Sequence, residues 1–114
     1  MSESCLFCKI ASREIKGDIV FEDDALIAFR DISPQAPVHI LVIPKEHVST
    51  LNEVSDSHQM LLGRMILAAR NIAQQAEIDE SGFRLVMNCN REGGQTVFHI
   101  HLHLLGGRQL THLG

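Results

Sequence analysis

His99, His101 and His103 alternate with Ile100, Leu102 and Leu104. In a β-strand successive side chains point to opposite faces, so this alternation sends three imidazoles to one side and three aliphatic groups into a core. Imidazole titrates near neutrality, and such a face can supply a nucleophile, an orienting group, a proton donor, a phosphate contact or a metal ligand. Strand rise restricts the last option, because about 13 Å separates the outer two backbone positions while zinc holds its ligands at about 2 Å. One ion cannot gather all three, although two neighbours could share one.

Two other clusters bear on that face. Gly93-Gly94-Gln95-Thr96 runs directly into it, and a glycine pair lets backbone N–H groups approach an anion closely, as well as making tight turns. Near the N-terminus, Cys5-Leu6-Phe7-Cys8 offers two sulfur ligands at zinc-knuckle spacing, which His47 and one of the three histidines would complete to a Cys2His2 shell. A reduced cysteine pair without an ion is the alternative, and Cys89 stands apart from the pair. No carboxylate cluster suggests a catalytic magnesium site.

The elements that must position these groups read as one α+β unit. Phe7 to Ile15 has mixed helical character, and Ile19 to Glu22 and Leu26 to Arg30 form a hairpin about Asp23 and Asp24. Asp31 to Pro37, with two prolines and Ser33, is an ordered loop. Val38 to Ile43 is a buried strand ended by Pro44. From Ser57 to Ala76, Leu61, Leu62, Met65, Ile66, Ala69, Ile72, Ala73 and Ala76 recur at helical spacing behind an Asp56 cap with Gln59 three residues on. Phe83 to Asn88 is a fourth strand and the histidine segment a fifth. Hairpin-type connections predict a mostly antiparallel five-stranded sheet with one long and one short helix on one face.

A chain of 114 residues with 45% hydrophobic and 21% charged content fits a single globular domain spanning 1–114. The formal charge of -4 argues against a general binder of nucleic acid or anionic membrane. Residues 1–15 lack the apolar run of a signal peptide, and Ile40 to Ile43 and Met65 to Ala69 are too short to span a bilayer, so cytoplasmic residence is expected.

His99-Ile100-His101-Leu102-His103-Leu104-Leu105 resembles the signature of the histidine-triad (HIT) family. Gly93-Gly94-Gln95-Thr96-Val97-Phe98 before it and Gly106-Gly107-Arg108 after it resemble the Hint-like nucleoside phosphoramidase branch, as do Asp31 to Pro37, His39 and Leu41 to Lys45. The resemblance implies a hydrolase that cleaves the P–N bond of purine nucleoside 5'-phosphoramidates and needs no catalytic cofactor, in a homodimer whose sheets join. By it His101 attacks phosphorus to form a nucleotidyl-imidazole, His103 contacts the phosphate and helps protonate the amine, and His39 orients. Asn88, Gly94, Gln95, Thr96 and Val97 then fall in the phosphate and leaving-group shell, Asp31 on the ribose, and Leu6, Phe7, Ile10, Phe29 and Ile32 around the base. It also names His99 as the ligand that joins Cys5, Cys8 and His47 around a structural zinc.

The alternatives are hydrolysis of dinucleoside polyphosphates, a nucleotide- or zinc-binding regulatory module with incidental activity, and metal-dependent hydrolysis by the histidine strand. In the C-terminal tail, Gln109 to Gly114 is shorter than in many relatives, and the chain has no tryptophan.

Overall fold

Asp23 turns the first hairpin: its Oδ1 accepts from the N–H groups of Ala25 (2.9 Å) and Leu26 (2.8 Å), a local bond that aspartate makes readily. The two strands it joins, β1 (Ile19–Glu22) and β2 (Leu26–Arg30), are the ones the sequence predicts. The computed structural model describes residues 4–114. Within it β2 pairs with β3 (Val38–Pro44), β3 with β5 (Leu102–Gly106), and β5 with β4 (Phe83–Val86). All pairings are antiparallel, in the order β1-β2-β3-β5-β4.

Alternation along these strands builds two cores. Leu26, Ala28, Ile40, Val42, Leu102 and Leu104 pack on one face against Met65, Ala68, Ala69, Ile72 and Ala73 of the long helix α2 (Gln59–Gln75). Ile27, Phe29, Leu41 and Ile43 pack on the other against Phe7, Cys8 and Ile10 of the short helix α1 (Leu6–Ala11). The helices therefore cover opposite faces, not one face as expected. Burial of Leu26, Ile27, Val42 and Ile43 on both sides of the sheet requires this, since each face needs an apolar cover.

The boundaries of α1, α2 and β3 differ from the sequence expectation, each for a local reason. α1 stops at Ala11 because Arg13 adopts a left-handed backbone (φ 68°) and Glu14 and Ile15 both donate back to the Lys9 carbonyl. α2 is entered through a 3-10 turn, Asp56–His58, and the cap is Ser55, whose N–H donates to His58 Nδ1 at 3.0 Å, not Asp56. β3 includes Pro44, which pairs with Leu26 at its end. Arg64 ties α2 to the first hairpin through Asp23 and Asp24, at 2.9 and 2.8 Å.

Candidate active site and metal centre

The histidine segment is only partly a strand. β5 begins at Leu102, so His99, Ile100 and His101 precede it, contrary to the regular strand expected over all three histidines. Proline explains the break. Pro44 ends the neighbouring strand without an N–H to extend the ladder, and the Ile100 N–H is taken by the Val48 carbonyl at 2.8 Å. β4 stops at Val86, opposite His103, short of the Asn88 expected. The aliphatic set still buries as expected, with Ile100, Leu102 and Leu104 in the α2 core.

His101 is buried and its ring is fixed at one nitrogen. Nδ1 lies 2.8 Å from the His99 carbonyl, which can only accept, so Nδ1 carries the proton and Nε2 keeps its lone pair. Burial is the main influence lowering its pKa, and a neutral imidazole at pH 7 is a competent nucleophile. The edge of Phe7 packs on the ring at 5.0 Å between centroids, and the His103 ring stands 4.9 Å away.

The next two imidazoles form a pair whose protons are set from the backbone. The Gln35 N–H donates to His39 Nδ1 at 3.0 Å, so the proton of neutral His39 is at Nε2. His39 Nε2 stands 2.9 Å from His103 Nδ1 and 3.5 Å from Asp31 Oδ2. Donation along the shorter contact leaves His103 with its proton at Nε2. That atom is buried and, among the described residues, it alone of such side-chain nitrogens and oxygens lacks a hydrogen-bond partner. A buried donor left without an acceptor costs stability, which is common where a ligand completes the site. Burial first, then the neighbouring His101 and His39, holds the His103 pKa down at about 4, and burial lowers that of His39. The pair is neutral at pH 7.

His99 faces the other way. It is fully buried, and Nε2 donates to the Pro44 carbonyl at 2.7 Å, which leaves the Nδ1 lone pair free to bind. Around that atom stand Cys5 Sγ at 3.4 Å, Cys8 Sγ at 3.5 Å and His47 Nδ1 at 3.2 Å, with Cys8 Sγ 3.3 Å from His47 Nδ1. In a zinc tetrahedron with the usual bond lengths, two nitrogen ligands lie about 3.3 Å apart and a nitrogen and a sulfur about 3.6 Å. The four side chains therefore already stand at spacings near those of a zinc coordination shell, with the tautomer of His99 fixed by the Pro44 carbonyl, as metal-binding histidines usually have theirs fixed by an acceptor on the far nitrogen. Burial lowers the His99 pKa to about 4, keeping it unprotonated and able to ligate.

The remaining predicted residues divide between those at the site and those engaged elsewhere. Asn88 is half-buried and meets the glycine loop, since a Cβ on Gly94 (φ +91°) would lie 3.6 Å from Asn88 Nδ2. Thr96 is exposed and lines a cleft of about 400 Å³ with Cys5, Leu6, His47, Ser49, Val97 and Phe98, joining the glycine loop to the metal cluster. Gln95, expected in the phosphate shell, turns inward: its Oε1 accepts from Asn90 N at 2.8 Å, and its Nε2 donates to the Ser49 and Val97 carbonyls at 2.8 and 3.1 Å. Its side chain braces the loop.

Of the five residues expected around a base, Phe7, Ile10 and Phe29 are core side chains, whereas Leu6 is exposed and Ile32 is 96% exposed. Asp31 uses Oδ1 to cap the Ser33 N–H at 2.8 Å and turns Oδ2 toward His39. A larger cleft of about 580 Å³ lies among Glu77, Phe83, Arg84 and Arg108, away from the imidazoles. The groups that sequence reasoning missed are backbone atoms: the Gln35 N–H and the Pro44 and His99 carbonyls. No residue type announces them.

The HIT domain model matches residues 12–110 of this chain. A purine nucleoside phosphoramidase of Escherichia coli K12 is 59% identical over 110 residues, which cover 96% of this chain and 92% of that one. A HIT family hydrolase from Legionella pneumophila Philadelphia 1 has the same fold, with a TM-score of 0.94 and 56% identity over 95% of this chain and 96% of that one. A histidine triad protein from Clostridium difficile superposes with a TM-score of 0.96 at 39% identity, over 100% and 99% of the two chains.

Proposed function

Since this chain belongs to the HIT domain family, with residues 12–110 matching its model, we propose that it is a purine nucleoside phosphoramidase, hydrolysing the P–N bond of nucleoside 5'-phosphoramidates through a nucleotidyl-histidine. The relative from Escherichia coli that bears this activity in its name is 59% identical. The single observation that carries the mechanism is the His101 Nδ1 contact to the His99 carbonyl, which leaves Nε2 as the free nucleophile.

In this reading His101 Nε2 forms a bond to phosphorus as the P–N bond breaks, and the leaving nitrogen takes a proton from water to depart as the amine. A second water gives its hydroxyl to phosphorus and returns a proton to solvent, the N–P bond breaks, and the nucleoside monophosphate leaves. His103 gives a hydrogen bond from Nε2 to a phosphate oxygen, where negative charge concentrates in the transition state. Because the His39–His103 pair is neutral, it has no surplus proton for the amine, which favours phosphate contact over acid catalysis for His103. Asn88 and Thr96 complete the phosphate shell beside Val97, on a turn of Gly94 and Gln95 whose N–H groups are held by the Arg91 and Asn90 carbonyls at 3.0 Å each. Asp31 takes the ribose hydroxyls, and Leu6, Ile32 and the edge of Phe7 take the base.

Cys5, Cys8, His47 and His99 hold a structural zinc in this reading, supported by spacings close to those of a tetrahedral shell. The ion contributes cross-linking of α1 to the segment that precedes β5 and no chemical step. The whole of 1–114 acts as one HIT domain, paired in a homodimer. Exposed Met60, Ile66 and Leu67 on α2 support such pairing. Cytoplasmic residence fits the cysteine pair, which stays reduced there. Among the described residues no helix is long and apolar enough to cross a membrane.

The test is incubation of the purified chain with adenosine 5'-phosphoramidate and with diadenosine polyphosphates, following AMP. Release of AMP from the phosphoramidate is expected; cleavage of the polyphosphates alone, or tight AMP binding without turnover, contradicts the reading.

A further inference from the structure

The loop from Asp31 to Pro37 carries the donor that sets the protons of the His39–His103 pair, and a residue from outside the site grips that loop. The Gln35 N–H donates to His39 Nδ1 at 3.0 Å, while the carbonyl of the same residue accepts from Arg108 Nη2 at 2.9 Å. Arg108 stands two residues beyond the end of β5, and its Nη1 also donates to the Gln109 carbonyl at 2.9 Å. Gly107 makes the approach possible. Its φ of +95° turns the chain, and a Cβ there would lie only 2.9 Å from Pro37 Cβ. The end of β5 is thus pressed on the loop at two successive residues.

We propose that Arg108 is a positioning residue for the phosphoramidase reaction: by holding the Gln35 carbonyl it keeps the Gln35 N–H on His39 Nδ1, and through His39 keeps the His103 Nε2–H available to the substrate phosphate. The inference rests on the functional reading above.

What Gln35 controls is the placement of a proton. A neutral imidazole has two tautomers, and the partner on one nitrogen decides which atom carries the hydrogen. With the Gln35 N–H in place, His39 is Nε2–H and His103 follows as Nε2–H. If Gln35 turns away, only Asp31 Oδ2, 3.5 Å from Nε2, still favours the Nε2 proton, and His39 gains access to the tautomer that carries it at Nδ1 and presents a bare Nε2. To keep the 2.9 Å contact, His103 must then donate from Nδ1. Its Nε2 becomes a lone pair facing an anion, and the hydrogen bond to phosphate becomes a repulsion. Arginine suits the clamp because its planar fork offers several N–H donors, and here it serves the Gln35 and Gln109 carbonyls at once.

The loop has other anchors. The Asp31 N–H donates to the His39 carbonyl at 3.0 Å, and Asp31 Oδ1 caps Ser33. These hold the start of the loop, so the effect of Arg108 is confined to Gln35 and what depends on it. Arg108 is exposed, and its truncation leaves both cores intact.

The experiment uses the full chain with Arg108→Ala and Arg108→Lys, read in two ways. Long-range proton–nitrogen NMR of the imidazoles reports the tautomers of His39 and His103, and steady-state kinetics with adenosine 5'-phosphoramidate reports kcat and KM separately. The wild-type chain is expected to carry its protons at Nε2 of both rings. Arg108→Ala should bring in the second tautomer of His39 and lower kcat on the order of tenfold with a much smaller change in KM. Arg108→Lys, which keeps a cationic donor for the carbonyl, should restore most of both. Unchanged tautomers in folded Arg108→Ala would overturn the proposal, whether or not kcat fell. Shifted tautomers with kcat unchanged would overturn its link to catalysis. Absence of turnover in the wild-type chain would instead strike the functional reading, and the spectra alone would then decide the clamp.

Discussion

His39 and His99 are both buried imidazoles set against another imidazole, at 2.9 and 3.2 Å, yet the backbone prepares them for opposite work. On His99 a carbonyl, that of Pro44, takes the Nε2 proton and leaves Nδ1 bare among two thiols and His47. On His39 an N–H, that of Gln35, occupies Nδ1 and forces the proton to Nε2, toward His103. One cluster thereby turns a lone pair toward two cysteines and a histidine, a donor set that suits a cation, and the other is a fixed line of hydrogen-bond donors. Asp31, His39 and His103 lie close enough together to resemble a second metal site. An ion there would have to expel the proton that Gln35 keeps on Nε2. The difference teaches that residue type and proximity do not assign a histidine; the backbone group on its far nitrogen does.

The sharpest break of the comparison is His101→Ala, which touches neither pair's bonding. Turnover of adenosine 5'-phosphoramidate should fall by roughly four orders of magnitude, while AMP binding measured by calorimetry persists. Retention of substantial turnover would remove the nucleophile from the account.

Loss of the cysteine–histidine cluster comes next. Cys8→Ser, or chelation of the wild-type chain, should reduce bound zinc from one ion per chain toward none. It should also lower the unfolding temperature by roughly 10 °C or more, as loss of a few kcal/mol does in a domain of this size. Elemental analysis beside calorimetry checks both, and two ions per chain would contradict the distinction between the clusters.

The donor pair predicts a pH dependence. His103 is held at about 4 against an ordinary 6.5, and burial lowers His101 and His39 as well, so the acid limb of kcat/KM should lie below pH 6.5. The stability sign follows. Between those values the unfolded chain binds the proton and the folded chain does not, so stability is full above 6.5 and declines as pH drops toward 4. Rate profiles and denaturation midpoints over that window test the two halves separately. The smallest effect is expected from Asp31→Asn, which keeps the Ser33 cap through its carbonyl. It should raise KM for the nucleotide roughly tenfold and change kcat far less, by loss of a charged acceptor for the ribose.

Much of the scaffold was legible because it depends on side-chain pattern. Asp23 and Asp24 marked the first hairpin, and the spacing from Leu61 to Ala76 marked α2, since turn chemistry and apolar periodicity are properties of the sequence itself. The histidine segment reads as a continuous strand by its alternation, but a proline in the neighbouring strand, 55 positions earlier than His99, ends the ladder there. Cys5, Cys8 and His47 were nameable from residue type and spacing, whereas Asp31, His39 and His103 and the choice of His99 came from the family resemblance. Neither disclosed that the Gln95 amide faces inward or that Gln35 governs His39, because those depend on how loops distant in sequence meet.

The proposed nucleophile is the Nε2 lone pair of His101. Acid-quenching the wild-type chain during turnover of adenosine 5'-phosphoramidate, followed by peptide mass spectrometry, should find an adenylyl group bonded to His101 and to no other histidine. An adduct on His99 or His103, or turnover with no adduct at any quench time, would contradict it.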